Sequence, residues 1–285
     1  MKKLSSYLLI GLLFSFSVNL FSQSELKIIS YNIRLDLASD GENRWDLRKD
    51  KVAGLINYYE PDFAGMQEVL HTQLVYLQKE LKDYEMIGVG RDDGKEGGEY
   101  SCIFYKKDKY KLIKQGTFWL SPTPDIPSRG WDAAFNRVCT YGLFELKKGK
   151  KKVWVFNTHL DHRGETARLE SVKLITQKIN EMISTEKYPV IISGDFNSKP
   201  EEEPAKFMSS SFTDSRTASE LIPYGPADTW NAFQFDKKPD GRIDYIFIND
   251  KSKIQIKKFA TITDSYDKKY PSDHFPVMAT LELLK

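Results

Sequence analysis

The sequence predicts an α/β protein with layered packing, and three observations lead to that prediction. Short apolar and β-branched runs recur along nearly the whole chain. Three segments between them place apolar residues at helical spacing instead. Both kinds of segment are spread evenly, without the composition break that would mark two separable domains.

In chain order, the strand-like runs cover residues 26–30, 63–66, 86–89, 102–105, 111–118, 138–146, 153–157, 190–193, 243–248, 254–263 and 277–283. Leu47, Val52, Leu55 and Ile56 mark a first helix, and Leu74, Leu77 and Leu81 a second. Leu169, Val172, Ile175, Ile179, Met182 and Ile183 mark the third, whose period runs longest. Residues 120–137 are rich in Pro, Ser, Asp and Trp, show no period, and read as a long loop of the kind that carries function. Residues 199–240 read as a second such loop.

The chain has 285 residues, 40% hydrophobic and 29% charged, which fits a globular protein and excludes a disordered one. Residues 1–23 read as a secretory leader: Lys2 and Lys3, an apolar stretch over 7–21, then Ser22-Gln23-Ser24. Ser15, Ser17 and Asn19 interrupt that stretch, which is short for a span of about 20 residues. The expectation is an exported protein, periplasmic or extracellular, with one domain over 24–285 and no transmembrane segment in it. The whole chain carries 42 Lys and Arg against 40 Asp and Glu, and loss of Lys2 and Lys3 leaves a balanced chain. That balance argues against general attraction to a polyanion but leaves a small anionic substrate open. Cys102 and Cys139 both lie in β-like apolar runs and read as free thiols rather than a disulfide.

The informative feature is where the strands stop. One run leads into Asn32, another into Gln67-Glu68, and a third into Asn157-Thr158-His159-Leu160-Asp161. Others lead into Gly194-Asp195-Phe196-Asn197 or enclose Arg242-Ile243-Asp244, and Ser272-Asp273-His274 precedes the last run. In α/β sheets, ligands bind in the crevice beyond strand ends. Carboxylate and amide oxygens are hard ligands that suit Mg²⁺, and imidazoles serve as acid, base or donor near neutral pH. A single Asp-x-Asn is usually a turn. Six such segments at the ends of apolar runs exceed what turn chemistry explains.

Taken in order, these segments, with Ser30-Tyr31-Asn32-Ile33-Arg34 first and Ser272-Asp273-His274-Phe275-Pro276-Val277 last, resemble the motif set of the endonuclease/exonuclease/phosphatase superfamily. The resemblance extends over residues 26–284 and is to an uncharacterised secreted bacterial branch. It implies a four-layer sandwich, two mixed β-sheets face to face with helices outside, and metal-dependent hydrolysis of a phosphate ester. The implied cofactor is Mg²⁺, with Mn²⁺ or another divalent ion as alternatives. Glu68 is the implied metal ligand, with Asn32 and Asp273 beside it. Asp195 is implied to orient or deprotonate the attacking water, and Asn197 to bond the scissile phosphate. His274 would stabilise charge on the phosphoryl oxygens, with Asp244 fixing its tautomer. His159 matches the DNase-like histidine near the leaving group, and Glu99 the carboxylate that orients it, although Glu96 lies in the same loop.

Substrate contacts are expected from Arg34, Arg137, His162 and Trp131, with Trp119 and Phe135 also in the long loop. Each has a plainer reading as a surface ion pair, an exposed loop histidine or loop packing. His71 reads as a helix-start surface residue, and Asp161 as an organiser of the loop after His159. The expected partner is a phosphate-ester substrate: a nucleic acid, a lipid headgroup or a small phosphorylated metabolite. A nuclease would need a local basic groove, for which Lys106, Lys107, Lys109, Lys111 and Lys114 are candidates. A sphingomyelinase-like lipid phosphodiesterase and a catalytically inactive binding module are the remaining alternatives. No protein partner is evident.

Overall fold

Alternate side chains along the central strands enter different cores, so the runs are apolar throughout rather than half polar. In the computed structural model, which describes residues 25–284, Ile28 enters one core and Ile29 another. Residues 1–23, read above as a leader, lie outside the described residues.

The chain runs through β1 (Glu25–Asn32), α1 (Trp45–Tyr59), β2 (Phe63–Val69), α2 (His71–Glu80), β3 (Tyr84–Ile87) and β4 (Tyr100–Lys106). It continues with β5 (Tyr110–Trp119), β6 (Val138–Leu146), β7 (Lys152–His159), α3 (Glu165–Thr185) and β8 (Val190–Asp195). Then come α4 (Glu203–Ser211), β9 (Thr213–Asp214), β10 (Asp244–Ile248), β11 (Ile254–Thr261) and β12 (Val277–Leu283). One six-stranded sheet has the order β11-β12-β1-β2-β4-β3, and the other β5-β6-β7-β8-β10-β9. Each is mixed, with one parallel pair, β1–β2 in the first and β7–β8 in the second. Parallel neighbours need a crossover, and α1 and α3 supply them.

Ile28, Phe63, Ile103, Val155, Ile191 and Ile246 fill the core between the sheets. On the outer face of the first sheet, Ile29, Ala64 and Met66 meet Val52 and Ile56 of α1 and Leu74 and Leu77 of α2. On the outer face of the second, Trp154, Phe156 and Phe247 meet Val172, Ile175 and Ile179 of α3 and Met208 of α4. The result is the four-layer sandwich expected from the resemblance.

Two expectations need correction. Leu47 was placed on the core face of the first helix but is 59% exposed, while Val52, Leu55 and Ile56 are buried. The region 199–240 was read as loop throughout, yet it contains α4 and the short β9. α4 has only nine residues, starts with a proline in its first turn and buries Pro204, Ala205 and Met208. So short a helix shows little period, and its packing against α3 rather than its own pattern sustains it. Residues 120–137 form an irregular loop, as expected. Cys102 and Cys139 are free and buried in different sheets, and burial pushes the Cys102 thiol up to about 12.

Beneath the cleft, a polar network joins the two sheets. Gln67 Nε2 donates to Asn157 Oδ1 at 2.7 Å, and Asn157 Nδ2 donates to the Met66 and Cys102 carbonyls. Gly65 makes room for this network, because a Cβ there would collide with Ser193 Oγ and lie 2.6 Å from Asn157 Oδ1. Gly65→Ala should therefore lower stability by roughly 1–3 kcal/mol, measured by urea unfolding; an unchanged midpoint and slope would contradict this packing.

Candidate active site

Strand register brings the polar ends together. On the second sheet, His159, Asp195 and Asp244 are paired neighbours across β7, β8 and β10. On the first, Asn32 pairs with Gln67. The β2–β4 register shifts between Met66 and Val69, and Glu68 sits within that bulge with φ of 60°. Bulges re-aim side chains next to active sites. Arg34 (φ 59°) and Asn197 (φ 44°) are also left-handed non-glycine residues, a strain that persists only where the surroundings enforce it.

Asn32 Nδ2 bridges the two sides of the cleft, donating to Glu68 Oε1 and Asp195 Oδ2, each at 2.9 Å. Leu35 N–H donates to Glu68 Oε2 at 3.1 Å. Burial opposes the Glu68 charge, but Asn32, His274, the Leu35 N–H and Arg34 together hold its carboxyl below the usual range. Burial, then the Asp244 charge, pushes Asp195 up to about 7. His274 Nδ1 lies 2.9 Å from Asp244 Oδ2. Burial opposes the imidazolium, yet Asp244 and Asp195 raise the His274 pKa well above normal, so it is a cation at neutral pH.

His159 has the opposite character. Asn197 Nδ2 donates to the Leu160 carbonyl and contacts His159 Nε2, both at 3.0 Å. A carbonyl only accepts, which identifies the amide nitrogen there and makes His159 Nε2 an acceptor. The ring proton is then on Nδ1, 3.8 Å from Glu99 Oε2. Burial, Arg137 and Arg91 keep His159 neutral. Glu99 is itself paired with Arg91 at 2.7 Å, whereas Glu96 is exposed beside His71 at 3.6 Å. The structure thus places Glu99, not Glu96, next to His159. His71 begins α2 at the surface, as expected.

The cleft is a cavity of about 680 Å³. Arg34, Glu68, Glu99, Arg137, His159 and His162 line it, as do Asp195, Asn197, Asp273 and His274. Asn32 and Asp244 are buried directly behind, bonded to lining residues. Trp131 is not brought to the cleft: it sits in the 120–137 loop, 37% exposed and with φ of 49°. Phe135 of the same loop does line it and stacks on His162, with ring centroids 5.9 Å apart. Arg137 Nη2 lies 3.1 Å from His162 Nδ1, and since arginine only donates, His162 carries its proton on Nε2. Asp161 organises this wall by accepting from the Phe135, Arg163 and Gly164 N–H groups and from Arg137 Nε.

Sequence reasoning missed Trp230, Lys199 and Asp240, which also line the cavity. They fall in the aperiodic 199–240 region, which is brought in by the backbone bridge from Trp230 to His274 and by the Asn231 and Ala232 N–H groups donating to the Asp273 carbonyl. The Asp-Thr-Trp before the Arg242-Ile243-Asp244 segment was the one available signal. The lysines considered for a basic groove line no part of the cleft; Lys109 pairs with Asp62 at 2.7 Å and Lys114 with Glu186 at 2.9 Å.

Glu68 and Asp273 fit a hard divalent cation. Asp273 is buried and Glu68 partly so, and after burial and the opposing pull of His274, Glu68 is the largest contributor to the raised pKa of Asp273. A cation held by both would relieve that repulsion. Asp195, Asp244 and His274 also place one ligand atom each within 4.8 Å of one another, a second spacing compatible with a metal. There, however, the His274 proton already bridges to Asp244. Among the described residues, no helix is long and apolar enough to cross a membrane.

A four-layer sandwich with imidazoles, carboxylates and amides brought together at its strand ends defines the DNase-like fold class. The chain belongs to the endonuclease/exonuclease/phosphatase family, whose sequence pattern matches residues 29–274. A family protein from Bacteroides thetaiotaomicron is 37% identical, with TM-score 0.87 over 91% of this chain and 95% of that one. The mannosyl-6-phosphatase of the same organism is also 37% identical, with TM-score 0.86 over 90% and 99%. Mouse nocturnin is 23% identical over 90% of this chain and 64% of its own length. The chain spans 59% and 64% of the first curated relatives it matches.

Proposed function

We propose that the protein is an exported, divalent-metal-dependent phosphomonoesterase acting on a phosphorylated sugar. One observation carries the reading: hydrolytic groups converge on a cavity of about 680 Å³ that is walled by ring faces and hydrogen-bonding side chains. That volume suits a small metabolite. Phe135 and Trp230 are 49% and 39% exposed, giving apolar faces for sugar C–H groups. The His162 Nε2–H, Lys199 and Asp240 supply partners for hydroxyls. The likeness to a mannosyl-6-phosphatase supports the same substrate class.

In the proposed mechanism, Asp195 orients water and takes its proton, a task suited to a carboxylate titrating near 7. His274, cationic and aimed by Asp244, stabilises charge on the phosphoryl oxygens, while the Asn197 amide, with its two protons on the Leu160 carbonyl and His159 Nε2, holds the imidazole in place. His159, held neutral by Asn197 and its buried surroundings, borders the leaving oxygen. Glu68 and Asp273, with Asn32 behind, would hold the divalent ion, which offsets charge on the phosphoryl and leaving oxygens when bound.

The test is phosphate release with Mg²⁺ from mannose 6-phosphate, glucose 6-phosphate, p-nitrophenyl phosphate and bis(p-nitrophenyl) phosphate, beside DNA, RNA and sphingomyelin. A hexose phosphate should give the highest kcat/KM; a diester, nucleic acid or lipid in that place overturns the reading. Trp230→Ala should raise KM for the sugar phosphate about tenfold, roughly 1.4 kcal/mol, with kcat less affected. Export predicts a processed N-terminus on protein recovered from outside the cytoplasm.

A further inference from the structure

Arg48, on α1, is only 4% exposed, and it takes no part in the mechanism above. Its hydrogen bonds all end on backbone carbonyls and none on a carboxylate. Nη1 donates to the Ile33 carbonyl and, at 3.2 Å, to that of Pro271. Nη2 donates to the Arg34 and Leu35 carbonyls at 2.7 and 3.4 Å, and Nε to Asn43 at 2.8 Å. The guanidinium also lies 5.2 Å from the Trp45 ring and 5.6 Å from that of Phe233.

Four of those carbonyls, from Ile33, Arg34, Leu35 and Pro271, belong to the loops that shape the acidic side of the cleft. The first loop, 33–35, supplies the Leu35 N–H to Glu68 and contains the left-handed Arg34, whose Nη1 lies 3.9 Å from Asp273. The second, 271–274, contains Asp273 and His274. Phe233 belongs to a third loop, in which the Asn231 and Ala232 N–H groups donate to the Asp273 carbonyl at 2.8 and 3.0 Å. A buried cation without an ionic partner is costly for a fold to keep. Here the buried positive charge sits within electrostatic reach of Asp273, behind the loops that carry it.

We propose that Arg48 is a positioning residue for the divalent-ion site. Its planar fork locks the 33–35 and 271–274 loops in register, so that Glu68 and Asp273 face a common point. Lysine cannot replace it, because a single ammonium cannot serve carbonyls on both loops in the same fixed geometry. Gln73 helps on one side, donating to the Arg34 carbonyl at 3.0 Å, but it does not reach the 271–274 loop.

The test uses Arg48→Lys and Arg48→Met, with Mn²⁺ binding to the substrate-free protein read by electron paramagnetic resonance. Circular dichroism and thermal melts first establish that each variant is folded at the assay temperature. The expected result is Mn²⁺ affinity about 10–100-fold weaker in Arg48→Lys, with a similar or greater loss in Arg48→Met. Turnover of p-nitrophenyl phosphate should show a higher Mg²⁺ requirement and lower kcat, with KM changed much less. Folded Arg48→Lys that binds Mn²⁺ as tightly as the parent overturns the proposal, whatever its melting point, because a purely structural brace would leave ion affinity alone. If Arg48→Met does not fold, Arg48→Lys decides. The proposal rests on the metal-site reading of Glu68 and Asp273 but not on the sugar phosphate: Glu68→Gln with parental Mn²⁺ affinity would sink the site assignment, and the binding readout needs no substrate.

Discussion

Asp195→Asn should lower kcat by about 10²–10⁴-fold while raising the melting temperature at alkaline pH. Both effects come from the same burial. The carboxylate is 1% exposed and faces Asp244, which together push its pKa up to about 7. Above that pH, the folded protein keeps a charge that burial and Asp244 disfavour, and asparagine removes it without changing shape. Linkage fixes the sign. The native carboxyl binds its proton more tightly than the unfolded one, so its contribution to stability is full below about pH 4. That contribution falls as pH rises toward 7. The melting-temperature gain should therefore be largest at pH 8, smaller at pH 5 and absent below about pH 4. The parent kcat/KM should decline on the acid side as Asp195 protonates, at or below about 7, since a bound cation favours the ionised form. It should decline on the alkaline side as His274 loses its proton. Near-parental turnover in Asp195→Asn would remove Asp195 from the mechanism.

Removal of divalent ions should be equally severe. Chelation should bring hydrolysis to background, and Mg²⁺ or Mn²⁺ should restore it. Glu68→Ala should raise the Mg²⁺ concentration needed for half-maximal rate by at least about tenfold. The reason is electrostatic. Glu68, Asp195 and Asp273 face one cleft, and an anionic phosphate entering there meets repulsion that His274, Arg34, Arg137 and Lys199 offset only in part. A divalent ion reverses the local sign. Activity that survives exhaustive chelation, or a Glu68→Ala variant with the parental Mg²⁺ requirement, would show that Glu68 does not hold the ion.

Much of the fold was legible because it is written in local periods. Residues 138–146 were bounded correctly from the sequence alone, and β7 and β8 run on to His159 and Asp195, which they present at the rim. The choice between Glu99 and Glu96 was not legible, because both lie in one glycine-rich loop; Arg91 decides it by pairing with Glu99. Trp131 was picked for its ring and its loop, but Phe135, four residues on, is the one that reaches the cavity. Trp230 lies in a stretch without period, and backbone pairing of its loop with the 273–275 segment brings it to the cavity.

The sequence by itself determined the layered α/β architecture and the set of amides, acids and imidazoles at strand ends. Each depends on residues a few positions apart, whose spacing dictates strand or helix and the face a side chain occupies. Only the tertiary structure decided which of those groups are charged, which wall the cavity and what holds the loops in place. Those properties depend on burial and on partners remote in sequence: Asn32 meets Asp195 across 163 positions, and Arg48 meets Pro271 across 223. The same residue types would titrate normally in water. Here loss of solvent and the placement of neighbouring charges raise the His274 pKa, lower that of His159 and raise that of Asp195.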